Sequence, residues 1–123
     1  MSATVGVGID LVDVARFAAV LRRRPQIAAR LFTEHERRDC AHRDEGLAAR
    51  FAAKEATWKS LGVGVGAVGF HDVEVRRSAT GAPLLHLSGA AQVLARERGV
   101  AAWHVSLTHT ATTAGAVVVG ATA

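Results

Sequence analysis

Apolar and small or polar positions alternate over residues 3–10, ATVGVGID, and that period of two predicts a strand. Val5, Val7 and Ile9 share one face. Gly6, Gly8 and Asp10 share the other. Two glycines leave that second face bare enough for another backbone to approach closely, and Asp10 ends the strand on this uncovered side. Over residues 12–24 the period becomes helical: Val12, Ala15, Ala19 and Val20 turn to a core, while Arg16 and Arg22 to Arg24 point elsewhere. Pro25 interrupts the pattern, and residues 27–32 form a short helical run. Thr33-Glu34-His35-Glu36 reads as a capping box that opens a third helix reaching about His42.

Asp44 is the expected cap of a long helix over residues 45–61. At 100° per residue, Leu47, Phe51, Trp58 and Leu61 fall within about 80° of arc and form its core stripe. Gly62 ends it. A glycine-rich stretch follows, GVGVGAVG over 62–69, and then alternation returns over 70–77 with Phe70, Val73 and Val75 apolar. Thr80-Gly81-Ala82-Pro83 is a turn between this strand and Leu84 to Leu87. Ser88 is the expected cap of a helix over 89–98 ending at Gly99. Trp103, Val105 and Leu107 alternate with His104, Ser106 and Thr108 as a half-buried strand, and Ala114 to Val119 reads as a more buried one. No linker, repeat or low-complexity block divides the 123 residues, so one domain over 1–123 is expected.

Composition narrows the class. At 50% hydrophobic and 21% charged, the chain is no disordered polymer. No apolar stretch of about eighteen residues is free of charge, and the start lacks a basic segment ahead of its apolar run, so neither a membrane span nor a signal peptide is expected. The single Cys40 makes no internal disulfide, which suits a cytoplasmic location. The net charge of +4 favours an acidic partner. With 5% aromatic residues and dispersed arginines, a nucleic-acid-binding module lacks its stacking platform, and no nucleic acid partner is expected. Thirteen of the fifteen cations are arginine; the two lysines, Lys54 and Lys59, lie in one segment. Lysine carries a compact ammonium whose proton moves readily, so two lysines kept together are either chance or a local need for that chemistry.

Several groups can carry chemistry. Glu55 lies at the edge of the core stripe and Lys59 one turn further, on the side of the small residues Ala48 and Ala52. This is either a ligand wall or a surface pair at i,i+4, worth about 0.2–0.5 kcal/mol. Lys54 falls inside the apolar stripe, where it either snorkels out or meets a subunit boundary. Asp10, ending a glycine-lined strand, and Glu55, on a helix, are candidates for half a hard-cation site if the fold brings them together; such a cation takes oxygen ligands and completes its shell with water or phosphate. Gly64-Val65-Gly66-Ala67-Val68-Gly69 matches a dinucleotide fingerprint only in letters. It follows a helix and leads into a strand, the reverse of what that motif needs. The six histidines lack zinc-ligand spacing. His104, Ser106 and Thr108 share a strand face that is either solvated or a place for a phosphate.

Three blocks, VGVGIDLVDVARF, RFAAKEATWKSLG and WHVSLTHT, resemble in order and spacing the signature blocks of the bacterial holo-[acyl-carrier-protein] synthases, which are small 4′-phosphopantetheinyl transferases. The segment LFTEHE resembles another step of that family's pattern, and the likeness spans essentially the whole chain. It implies an α+β fold, a small antiparallel sheet wrapped by a long helix, assembled as a homotrimer with sites at the subunit clefts. It implies transfer of 4′-phosphopantetheine from coenzyme A to a serine of an apo acyl carrier protein, releasing adenosine 3′,5′-bisphosphate. By the same resemblance Asp10 and Glu55 are Mg²⁺ ligands, and Lys59 stands near the leaving phosphate. Arg50, Lys54, His104, Thr108 and His109 match positions lining the coenzyme A cleft, and Arg16 with the arginines after it matches the helix that receives the carrier protein. Thr57, Trp58 and Ser60 depart from the smaller or aliphatic residues common in the helix block, and Thr110 follows His109 where some relatives have Asp. The short sheet and the apolar run AVVVG also leave more apolar surface than a chain this small readily covers, in keeping with assembly.

Overall fold

The computed structural model describes residues Met1–Ala123. The elements run β1 (Thr4–Asp13), α1 (Val14–Arg23), α2 (Gln26–Leu31), α3 (Glu34–Asp39), α4 (Asp44–Ser60), a 3₁₀ turn (Phe70–Asp72), β2 (Val73–Arg77), β3 (Pro83–Leu87), α5 (Gly89–Glu97), β4 (Ala102–His109) and β5 (Thr113–Ala121). All pairing is antiparallel: a three-stranded sheet in the order β1-β5-β4 and a separate hairpin of β2 with β3. This is the expected α+β architecture, with the sheet in two pieces. No helix is long and apolar enough to cross a membrane.

The long helix is enclosed, not amphipathic. Of the residues in α4 only Lys59 is exposed, and Ala48, Ala52, Ala53 and Ala56 are each 0% accessible. One end packs with α1 to α3 through Phe17, Phe32, Leu47 and Ala48; the other packs with α5 and the hairpin through Trp58, Leu61, Val73 and Ala91. Trp58, one of the departures in this block, is a core residue. The alanines are therefore not a ligand wall. They are small because the sheet lies against them.

The glycine face of β1 makes the closest contact. A Cβ on Gly6 would sit 1.9 Å from the Ser60 carbonyl oxygen, and one on Gly8 would sit 1.8 Å from that of Ala56. Bare backbone meets bare backbone: the close approach expected on the glycine face is made by α4. The valine side faces out instead: Val7, Ile9 and Leu11 are 58%, 62% and 70% exposed. β1 also continues past Asp10 to Asp13, whose side chain accepts the Arg16 amide and caps α1.

Caps differ from expectation in two more places. Asp44 is already inside the first turn of α4, and Arg43 precedes it without a side-chain cap. The Ala90 amide at the start of α5 donates to Asp72 Oδ2 at 3.2 Å, while Ser88 makes no side-chain cap bond. The Thr33–Glu36 box does form, and Glu36 has a second role. Its carboxylate is fully buried. Oε1 accepts the Thr33 amide and the Lys54 ammonium, and Oε2 accepts the Val75 amide. Lys54 Nζ also donates to the carbonyls of Phe70, at 2.8 Å, and Val73. The pair thus ties α3, α4 and β2 into one unit.

The close approach of β1 to α4 has a simple test. Gly8→Ala forces a methyl into a backbone carbonyl, and overpacking of this kind costs about 1–3 kcal/mol or more. A fall in Tm of roughly 5–15 °C is expected by scanning calorimetry. Gly64→Ala, where nothing lies within 4 Å of the added Cβ, should leave Tm nearly unchanged.

Candidate active site

Side chains in a strand alternate, so turning Gly6 and Gly8 toward α4 turns Asp10 the same way. Glu55 and Lys59 lie on successive turns of the helix facing it. Lys59 Nζ donates to Asp10 Oδ1 at 3.1 Å and to the Ile9 carbonyl at 3.0 Å. Lys59 therefore pairs across to the strand, not along the helix to Glu55. Burial and then the neighbouring Asp10 charge raise the pKa of Glu55, and the Lys59 charge partly offsets them. Three charged groups from two distant stretches of chain thus share one spot.

Two carboxylates that repel each other fit a hard divalent cation with oxygen-only ligands. No third His, Cys, Asp or Glu joins them, which leaves most of a coordination shell to water or to phosphate oxygens. The spot opens on a cavity of about 490 Å³ whose walls include Asp10, Glu55, Arg16, Phe17, Phe51 and Phe70. Phe51 stacks on Phe70 with centroids 6.3 Å apart, and Phe70 meets Trp58 edge-on at 5.0 Å, so the apolar wall is braced from the core. Charge at the rim and aromatic surface behind it suit a ligand that is polar at one end and apolar at the other.

The other candidates lie elsewhere. Arg50 is about 140° around α4 from Glu55. It opens with Arg43, Arg77 and His109 on a second cavity of about 260 Å³ that contains neither Asp10 nor Glu55. Arg50 is 2% exposed as a residue, and its Nε has no partner within the chain. A third cavity adds Gly81, Pro83 and Ser106 beside Arg50 and Arg77. Arg43 and Arg77 were not singled out in the sequence. Arg77 sits at the end of β2 opposite Pro83, at the turn that was legible, yet nothing local marks it as facing Arg50.

His104 and Thr108 lie on the outer face of the sheet, opposite Val119 and Gly115 of β5. His109 has the other parity and, though exposed, lies on the α4 side of the sheet at the second cavity, so the two histidines of the last block serve different surfaces. Lys54 is not at any of these places. It is 0% exposed, and its hydrogen bonds to Glu36, Phe70 and Val73 consume its donors, which removes it as a cleft-lining group.

Comparison with known proteins follows this geometry. The family profile described as the 4′-phosphopantetheinyl transferase superfamily matches residues 6–119. The chain is 52% identical over 120 residues to the holo-[acyl-carrier-protein] synthase of Frankia casuarinae, covering 98% of this chain and 99% of that one. The synthase of Streptomyces coelicolor is 48% identical over 122 residues, covering 94% and 95%. The crystal structure of the Helicobacter pylori holo-[acyl-carrier-protein] synthase in complex with coenzyme A superposes with a TM-score of 0.84 at 32% identity, covering 93% of this chain and 98% of that one.

The shift at Glu55 carries a sign that can be measured. With its pKa raised, folded protein holds the Glu55 proton more tightly than unfolded protein does. Stability therefore falls as pH rises from the ordinary carboxylate range through the folded value. In the presence of a chelator, Glu55→Gln is expected to melt above the unsubstituted chain at about pH 7, with the gap closing toward about pH 4. A variant that melts lower at neutral pH would contradict the crowding of charge described here.

Proposed function

The chain belongs to the 4′-phosphopantetheinyl transferase superfamily, and from that premise we infer its reaction and the roles of its residues. It transfers 4′-phosphopantetheine from coenzyme A to a serine of an apo acyl carrier protein, leaving adenosine 3′,5′-bisphosphate. The observation that carries the residue assignment is the convergence of Asp10, Glu55 and Lys59 at the mouth of an aromatic-walled cavity.

Asp10 and Glu55 would hold a Mg²⁺ ion, which when bound neutralises charge on the phosphoryl oxygens and orients the pyrophosphate. The serine oxygen attacks the phosphorus bearing the pantetheine arm, and the bond to the adenosine bisphosphate oxygen breaks. Glu55, its pKa raised, is suited to take the serine proton. Lys59 supplies an ammonium for the departing phosphate. Such a displacement needs positioning and charge neutralisation more than covalent help from the protein. Arg16 lines the same cavity near the start of α1, with Arg22 and Arg23 in its last turn, so an acidic carrier protein arriving along α1 delivers its serine beside Glu55. A cytoplasmic setting accords with the free Cys40.

The second cavity supports a site shared between subunits. Arg50, Arg77 and Arg43 gather guanidinium groups suited to phosphate, with His109 and Glu45 beside them, yet on one protomer they do not share a cavity with Asp10 and Glu55. Val7, Ile9, Leu11 and Val117 stand exposed on the outer face of the sheet. A homotrimer that covers this face brings the cationic cavity of one copy to the acidic mouth of its neighbour. His104 and Thr108, on that same outer face, then belong to the joint between copies.

Mass spectrometry of an apo carrier protein incubated with coenzyme A and Mg²⁺ tests the activity. The chain should add one phosphopantetheine mass, and Glu55→Gln should lower the rate at least about 10²-fold. Normal turnover by Glu55→Gln at saturating Mg²⁺ would refute its role. The shared site is tested by mixing two inactive variants, Glu55→Gln and Arg50→Gln. Random exchange of subunits should leave about a quarter of the clefts with both halves intact. No recovered activity would mean that each site is built within one chain.

A further inference from the structure

Two lysines sit five residues apart on one helix and are held in opposite ways. Lys54 is sealed in the core with its donors used. Lys59 is 53% exposed at the side chain and holds two acceptors at the lip of the site, Asp10 Oδ1 at 3.1 Å and the Ile9 carbonyl at 3.0 Å. The first of these acceptors belongs to a carboxylate just assigned to the cation. The Lys59 ammonium is the positive charge the structure places directly against that carboxylate.

We propose that Lys59 is the resident counter-ion of the Asp10–Glu55 pair, that it competes with the divalent cation for Asp10, and that entry of the cation releases its ammonium toward the coenzyme A phosphates. The proposal rests on the cation reading above. An ammonium and a divalent cation on the same carboxylate repel each other, so the ion pair seen with Lys59 weakens when the cation arrives. The side chain can leave at little cost. It is half in solvent, packs in none of the hydrophobic clusters, and gives up only two hydrogen bonds. Its new partner is the phosphate that the cation brings with it. The arrangement couples three events: without cation, Lys59 holds Asp10 in place; with cation, it is set free; with nucleotide, it is captured again. Cation and nucleotide then favour each other beyond their direct contact, because each occupies what the other displaces.

The chain offers a clean readout, because Lys59 is the one lysine with a reachable amine. In the assembled protein, reductive methylation followed by peptide mass analysis reports how free its ammonium is. Adding Mg²⁺ should raise the methylation rate of Lys59 several-fold, and adding adenosine 3′,5′-bisphosphate on top should suppress it. Mg²⁺ that leaves the rate unchanged, or protects Lys59, overturns the exchange. Direct titration with Mn²⁺, followed by the loss of its free paramagnetic resonance signal, gives a second measure. Lys59→Met should bind Mn²⁺ about tenfold more tightly than the unsubstituted chain, and Asp10→Asn at least about tenfold more weakly. Equal or weaker binding by Lys59→Met, with Asp10→Asn still impaired, overturns the competition and leaves the cation assignment standing. No Mn²⁺ binding by either the unsubstituted chain or Lys59→Met overturns both.

Discussion

The arrangement of the site follows from one contact, the backbone of β1 laid on the backbone of α4. Carbonyl oxygens of Ala56 and Ser60 occupy the places where side chains at positions 8 and 6 would begin. Glycine is therefore a steric requirement there, and not a matter of φ. Strand alternation does the rest. Once Gly6 and Gly8 face the helix, Asp10 must face it too, one step beyond, where the helix presents Glu55 and Lys59. The same alternation turns Val7, Ile9 and Leu11 outward. A single packing decision thus sets the acidic pair and the apolar outer face together.

The buried Glu36–Lys54 pair secures the other side of that helix. Removing two charges from water is costly, and an ion pair alone seldom repays it. Here the neighbours of the pair are backbone groups with few alternatives: the amides of Thr33 and Val75 and the carbonyls of Phe70 and Val73. Loss of one partner would leave a buried charge and orphaned backbone groups together. Because Phe70 is both an acceptor of Lys54 and a wall of the cavity beside Glu55, the pair also fixes the shape of the site. Part of this was legible. Thr33 and Glu36 announced a capping box by spacing alone. Nothing in that spacing says that the glutamate continues inward, since a capping box is satisfied just as well at the surface. Lys54 likewise lay inside the apolar stripe, but its partner is 18 residues away.

What the sequence concealed has a common physical cause. Periodicity tells which residues share a face and is silent on which face is buried. Over residues 3–10 the two glycines mark the face that another backbone can approach, but not which element approaches it, and hydrophobicity ordinarily marks the opposite, valine face as the core. The rule inverts where a strand meets a helix too closely for side chains, and where its apolar side is kept for another surface. Asp10 and Glu55 could be paired only through family resemblance, since no local pattern measures a distance across 45 residues. Lys59 at Asp10 and Arg77 beside Arg50 are matters of tertiary register in the same way. By contrast the hairpin turn at Thr80–Pro83 and the glycine end of the long helix were legible, being decided within a few residues.

The enclosure of α4 explains why its two cavity-lining charges lie apart. A helix buried on nearly every side has few places where a charged residue can reach a cavity. Arg50 does so between the sheet and the hairpin, and Glu55 does so beside α1, on the far side of the same cylinder. The packed residues of α4 between them leave Arg50 and Glu55 in separate cavities of one protomer. In the proposed trimer each α4 gives its Glu55 to one cleft and its Arg50 to the next. Any force that misplaces one helix then disturbs two sites, which is why the rigidity of the glycine contact matters beyond the chain in which it forms.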